Sequence, residues 1–143
     1  MSAKKIYKVR ALVLDHDDST LAIEADDPRV LQLPGGSRKP KENPVKALRR
    51  EMREETGHKI GSIRHVRRLK VNRNGCREIT DFYVVRIKGG RKAPKLTGRE
   101  AARGLCVCRY ESPHALMSAL QDRVQVHGRS AARRDLRLVS LTI

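Results

Sequence analysis

The chain has no tryptophan, one phenylalanine and three tyrosines in 143 residues. A protein that binds single strands by stacking bases needs several exposed rings, and Tyr7, Phe82, Tyr83 and Tyr110 are the whole supply. Three cysteines, a small and odd number, exclude a disulfide framework and fit a reducing cytoplasm. Cys106 and Cys108, two apart on an expected strand, read as buried strand residues, because no second Cys or His pair stands at zinc-finger spacing. No apolar run reaches the roughly 18 residues of a membrane helix. The start MSAKKIYKVR carries charge but no apolar stretch of the signal-peptide kind. His16, His58, His65, His114 and His127 show no HExxH or similar ligand spacing, and there is no internal repeat. The expectation is one cytoplasmic domain with no membrane association.

Positive charge is what the chain has in excess: 32 Lys and Arg against 16 Asp and Glu, a net +16. Residues 1–56 hold 12 basic and 10 acidic side chains, whereas residues 57–143 hold 20 and 6. So basic a second half attracts polyphosphates or nucleic acid through its long-range field. With so few aromatics, anionic small-molecule substrates come first as partners and nucleic acid second.

Local pattern orders the chain. Residues 6–15 and 21–25 read as strands joined by the polar turn Asp15–Ser19. Val30–Leu33 leads into a Pro34-Gly35-Gly36 loop. Residues 60–71 and 77–87 form a strand pair around the hairpin signal Asn72-Arg73-Asn74-Gly75. A basic loop spans 88–98, a last core strand 104–110, and Ser112-Pro113 opens a helix over 114–124 with Leu116, Met117 and Leu120 on its apolar side. Residues 1–126 are read as the domain. Residues 127–143 are read as a basic, then apolar, tail packed on it, either a short strand or an interface segment.

The densest chemistry lies between Gly36 and Gly57, in G-SRKPK-E-NPVKALR-R-E-M-R-E-E-T-G. Asn43 is a favoured N-cap, Pro44 suits the first helical position, and Gly57 supplies a left-handed stop. The helix so bounded turns Val45, Leu48 and Met52 inward as one stripe. It gathers Glu51, Glu54 and Glu55, spaced i, i+3, i+4, on an adjacent face beside small Ala47. A solvated acidic face is the plain reading of such a run. A hard divalent cation, which takes oxygen ligands, is the stronger one, because the upstream Gly35-Gly36 turn lets backbone come close to an ion and offer its carbonyl.

This spacing resembles the signature box of the Nudix hydrolases: glycine, five residues, glutamate, seven residues, then Arg-Glu-apolar-any-Glu-Glu-any-Gly, with Met52 in the apolar slot. A chance match is on the order of 10⁻⁹ per starting position at average residue usage. The resemblance implies an α/β fold, an α/β/α sandwich with a mixed β-sheet between helices, over residues 6–124. It implies an enzyme that uses Mg²⁺, or Mn²⁺, to hydrolyse a P–O–P linkage. Glu51, Glu54, Glu55 and the Gly36 carbonyl then hold metal, and Arg50 orients a catalytic glutamate. Glu54 is the candidate catalytic group, and Glu42, Gly35 and Gly57 support the site. Glu100 stands where many members carry a further metal-binding or basic glutamate, with an ordinary loop residue as the equal alternative. His58 departs from the aliphatic residue that usually closes the box. Lys39 replaces a common acid, and with Arg38 and Lys41 it is placed to clamp distal phosphates.

The implied substrate is a nucleoside diphosphate linked to another moiety, such as a nucleoside triphosphate or dinucleoside polyphosphate. An RNA 5′-pyrophosphohydrolase or an inositol-pyrophosphate phosphohydrolase is the alternative. A non-catalytic Nudix-fold module that binds RNA or a nucleotide is the alternative of another class, disfavoured by the intact glutamate set. The identity of the base, the number of metal ions and the choice between monomer and homodimer stay open.

Overall fold

A computed structural model describes residues 4–25, 31–89, 104–127 and 130–142. Strand β1 (Lys4–Leu14) turns through Asp15–Ser19 into β2 (Thr20–Glu24). Two short strands follow, β3 (Leu31–Gln32) and β4 (Gly35–Ser37), then helix α1 (Pro44–Thr56). A long hairpin of β5 (Lys59–Arg73) and β6 (Cys76–Lys88) precedes β7 (Cys106–Tyr110), α2 (Pro113–His127) and α3 (Ser130–Ser140). The hairpin turn forms where the sequence placed it: Asn74 and Gly75 have φ of 50° and 77°, the paired positive values that match strand twist in a two-residue turn.

The sheet runs β3-β2-β1-β6-β5, with β4 also on β1 and β7 also on β2. It is mixed: β1 lies parallel to β6, and every other pairing is antiparallel. Alternation of side chains gives two faces. Val9, Ala11, Val13, Tyr83, Val85 and Ile87 pack under Ala47, Leu48 and Met52 of α1. Leu12, Phe82, Leu31 and Leu33 pack under Leu116 and Leu120 of α2 and Leu138 and Val139 of α3. The architecture is the α/β/α sandwich with a mixed sheet between helices.

Four sequence expectations need correction. The tail is not a strand: its residues 130–140 form helix α3. Its buried residues Asp135, Leu138 and Val139 recur at i, i+3, i+4, the helical period, and the alternating apolar residues of the last turns gave a false period of two. Val45 is 38% exposed, so it leaves the inward stripe of α1, while Ala47 joins it. Strand β7 pairs only with β2 among the described residues and so is an edge strand, not a core one. On it Cys106 is exposed and Cys108 half-buried rather than both buried. Burial, with Glu24 nearby, pushes the Cys108 thiol up to about 12, which leaves it protonated at neutral pH.

Candidate active site

Helix α1 forms as its caps require. Asn43 is extended, at φ −80° and ψ 164°, and its Oδ1 accepts the Lys46 amide at 2.8 Å. Gly57 is left-handed, at φ 73°, and donates to the Arg53 carbonyl at 3.1 Å. The buried side of the helix is Ala47, Leu48, Glu51, Met52, Glu55 and Thr56. Two of the three glutamates therefore lie on the buried stripe itself, an i, i+4 pair under cover, with Glu54 half-buried at its margin.

What faces them is the Gly35-Gly36 turn, threaded beside β1 by the pairings Val9↔Gly36 and Arg10↔Gly35. Gly35 has φ of 148°, and a Cβ there would fall 2.0 Å from the Val9 carbonyl, so only glycine fits. A Cβ on Gly36 would fall 2.6 Å from Glu51 Oε1. The Gly35 amide donates to Glu55 Oε1 at 3.2 Å. The turn is thus a bare backbone cradle pressed on two carboxylates. Gly36→Ala, whose only new atom meets the movable end of Glu51, is expected to keep the fold and lose activity on the order of 10²-fold, the cost of about 1 Å of misplacement. Circular dichroism alongside turnover checks it.

Arg50 organises the outer half of the site. Its Nε donates to Glu42 Oε2 at 2.8 Å and its Nη2 to Glu42 Oε1 at 3.0 Å, a two-pronged pair. Nη1 reaches Glu51 at 2.9 Å and Glu54 at 3.3 Å, and Nη2 also reaches the Ser37 carbonyl at 3.1 Å. Glu42 Oε1 further accepts the Lys39 amide at 2.8 Å. The Arg50 fork, aided by that amide, holds the Glu42 carboxyl at about 2, against an ordinary 4.5. A carboxyl depressed on folding stabilises the fold above about 4.5 and loses that contribution as pH falls toward about 2. Glu42→Gln is therefore expected to cost roughly 1 kcal/mol at pH 7, reduced from a buried pair by solvent screening. The gap from wild type in urea melts should close between about pH 4.5 and 2.

Glu55 is the opposite case. Burial, then its hydrogen bond with Glu51, pushes its carboxyl up to about 9, with Arg10 and the Gly35 amide pulling the other way. Among the described residues no three His, Cys, Asp or Glu side chains converge closely enough to hold a metal as they stand. Glu51 and Glu55 lie together, whereas Glu54 turns to Arg50. The pair has the donor chemistry of a hard divalent cation: two oxygens, largely withdrawn from water, whose repulsion a +2 charge offsets.

The other expected residues are dispersed. The Arg38 guanidinium lies 4.4 Å over the Tyr7 ring, while Lys39 and Lys41 are exposed on the loop, Lys41 with φ of 70°. His58 is buried, and its amide donates to Thr56 Oγ1 at 3.2 Å. Glu100 lies outside the described residues.

Sequence reasoning missed two groups. A groove of about 620 Å³ beside Arg50 and Glu54 is lined also by Glu42, Lys46, Arg49 and Arg53, a cationic i, i+3, i+7 stripe visible in the box had the arginines been placed on the wheel. Behind the cradle lie Arg10, Arg134 and Asp135, all buried. Arg10 Nη1 donates to the Leu33 carbonyl at 3.1 Å, and Asp135 Oδ2 accepts the Leu33 amide at 2.8 Å. Asp135 Oδ1 accepts from Arg134 Nε at 2.9 Å. Both peptide groups of the residue leading into Pro34-Gly35-Gly36 are thereby fixed. The available signal was an arginine within the apolar run of β1.

A NUDIX domain family model matches residues 4–133. Among curated proteins none matches in sequence. Solved structures share the fold. A NUDIX hydrolase from Nitrosomonas europaea has a TM-score of 0.71 at 19% identity, over 97% of this chain and 90% of that one. MutT from Aliivibrio salmonicida or Vibrio cholerae gives 0.68 at 16%, over 98% and 100%. A UDP-X diphosphatase gives 0.67 at 15%, over 99% and 62%. With the box folded into a capped helix against a glycine cradle, and the family model spanning nearly the whole chain, this protein belongs to the Nudix family.

Proposed function

We propose that the protein hydrolyses a diphosphate linkage in a nucleoside diphosphate joined to another moiety, such as a nucleoside triphosphate or a dinucleoside polyphosphate, with Mg²⁺ or Mn²⁺. The observation that carries this reading is the buried Glu51–Glu55 pair set against the Gly35-Gly36 backbone. Those two carboxylates, with the Gly36 carbonyl and Glu54 at the rim, would hold the metal. Once bound, a divalent cation supplies charge neutralisation at the phosphate oxygens and activation of water.

The chain's own groups do the rest. Arg50 Nη1 donates to both Glu51 and Glu54 and keeps them from drifting apart. Glu54, at the solvent margin, would take a proton from water. The cationic side chains Lys46 and Arg53 line the adjoining groove and would hold the phosphates beyond the scissile link, aided by the exposed Lys39 and Lys41. Arg10 and Asp135 hold Leu33 and hence the turn, so the cradle is rigid before substrate arrives.

The test is a panel of nucleoside triphosphates, dinucleoside polyphosphates and nucleotide sugars, with product identification, in Mg²⁺, Mn²⁺ or chelator. Turnover in Mg²⁺ that vanishes with chelator is expected. The Michaelis constant should rise with salt, more steeply for longer phosphate chains, as the Debye length shrinks from about 10 Å at 0.1 M to about 3 Å at 1 M. Equal, weak salt responses would detach the basic surface from substrate binding, and turnover in chelator would overturn the metal dependence.

A further inference from the structure

On the side of the sheet away from α1, helices α2 and α3 leave one corner uncovered. Helix α2 begins at Pro113 and α3 ends at Ser140. Pro113 and Thr142, from just those two ends, meet the sheet around a cavity of about 360 Å³. Register puts Leu12 and Arg64 on either side of Val84, and Leu14 beside Arg86. Alternation turns all five to the face that α2 and α3 share. Leu12 is buried and Leu14 and Val84 are half-buried, whereas Arg64 and Arg86 are exposed. The cavity therefore has an aliphatic floor and a cationic mouth.

The charges at the mouth do not cancel among the described residues. Asp18 is the one acid that lines the cavity, and it is engaged: Arg86 Nη2 donates to it at 2.9 Å. Arg86 Nη1 also reaches the Asp15 carbonyl at 3.4 Å, and the Asp15 carboxylate is held by Arg109. No described carboxylate meets Arg64. The start of α2 adds no charge of its own here, because Ser112 Oγ already accepts the Ala115 amide at 3.1 Å. His114 lines the mouth as well, exposed.

Three aliphatic side chains beneath one guanidinium that nothing described offsets favour a ligand with an apolar body and a single negative charge. A carboxylate meets a guanidinium in a planar fork. A polyphosphate fits poorly, since it would bring several charges beside Asp18 and lay a polar body on Leu12, Leu14 and Val84. The volume is at the low end of the roughly 300–1,000 Å³ of small-molecule sites, room for one ring or a short chain. We propose that this cavity is a second ligand site, separate from the cradle, for a small monocarboxylate with an apolar body. Glu51 and Glu55 come from α1 on the opposite side of the sheet, so the inference does not rest on the hydrolase reading.

The test is titration with cyclohexanecarboxylate, followed by amide chemical shifts in nuclear magnetic resonance. Cyclohexanecarboxamide, which lacks the charge, and acetate, which lacks the body, serve as comparisons. Saturable shifts are expected at Leu14, Arg64, Val84 and Arg86, with Gly35 and Gly36 unmoved. Each comparison ligand should bind at least about tenfold more weakly, for want of a charged hydrogen bond or of apolar burial. Arg64→Gln should weaken the carboxylate about tenfold. Lys70→Gln, which removes the same charge farther along β5, should bind as wild type does. Both side chains are exposed, and melting curves confirm the folds. Equal weakening in the two variants, equal binding of acid and amide, or shifts centred on Gly35 and Gly36 overturns the proposal. Ile143 lies outside the described residues, so a variant without it is titrated too. Binding by that variant alone would mean that the chain fills the cavity itself, which also overturns the proposal.

Discussion

Glu55→Gln is expected to lower kcat/KM by on the order of 10³-fold while leaving the protein folded and, in metal-free buffer, about as heat-stable as wild type. The substitution keeps shape and volume. It replaces one of two buried carboxyls, 7% exposed at Glu51 and 4% at Glu55, and since burial beside Glu51 pushes the Glu55 carboxyl up to about 9 and so keeps it protonated at neutral pH, a neutral amide there costs the metal-free fold little. On the proposed reading hydrolysis needs both carboxylates, and removing a preorganised electrostatic group typically costs 10²–10³ in rate. The same logic predicts a metal effect on stability. A ligand at about 100 times its dissociation constant adds roughly 2.7 kcal/mol. For a domain of this size that raises the melting temperature of wild type by several degrees. The shift should be at most about half as large in Glu55→Gln. Thermal melts with and without Mg²⁺, beside steady-state kinetics, check both halves. A variant that melts well below wild type in chelator would refute the reading of Glu55 as a buried carboxyl that serves metal binding rather than the fold.

Arg50→Ala should lose activity and stability together. Truncation leaves Glu42, Glu51 and Glu54 without the cation that now links them. Breaking a buried pair costs about 3–5 kcal/mol, and with Arg50 20% exposed roughly 2–4 is expected here. Activity should fall by on the order of 10²-fold or more as Glu51 and Glu54 drift. Arg50→Lys should recover stability in part but little activity, because an ammonium cannot reproduce the two-pronged bond to Glu42 or reach Ser37 as well. An Arg50→Ala protein with unchanged melting temperature and turnover would remove the hub from the account.

The box was legible because its information is local. Caps at Asn43, Pro44 and Gly57 and glutamates at i, i+3, i+4 fix a helix and its chemistry within about four turns, whatever it packs against. The long hairpin was legible for the same reason, through Asn74-Gly75. Which stripe of α1 is buried was not local. Val45, in the first turn, stays exposed, and Ala47 packs against the sheet instead. That Glu51 and Glu55 share the buried stripe with Leu48 and Met52 follows from the position of the Gly35-Gly36 turn, which β1 sets by strand pairing. The support behind the turn was hidden for a related reason. Arg10 and Asp135 meet at Leu33 across 23 and 102 residues of sequence, and neither has a spacing motif to betray it. The tail misled because Leu138, Val139 and Leu141 fit two periods, and only the buried acid at Asp135 separates them.

The claim that matters most is that Glu51 and Glu55, pressed on Gly36, form a divalent-cation site that hydrolysis requires. Electron paramagnetic resonance of free Mn²⁺ during titration measures that site without turnover, in wild type, Glu55→Gln and Gly36→Ala. A saturable site in wild type, weakened by at least about tenfold in each variant in step with its loss of activity, is the predicted result. Equal Mn²⁺ affinity in all three proteins would contradict it.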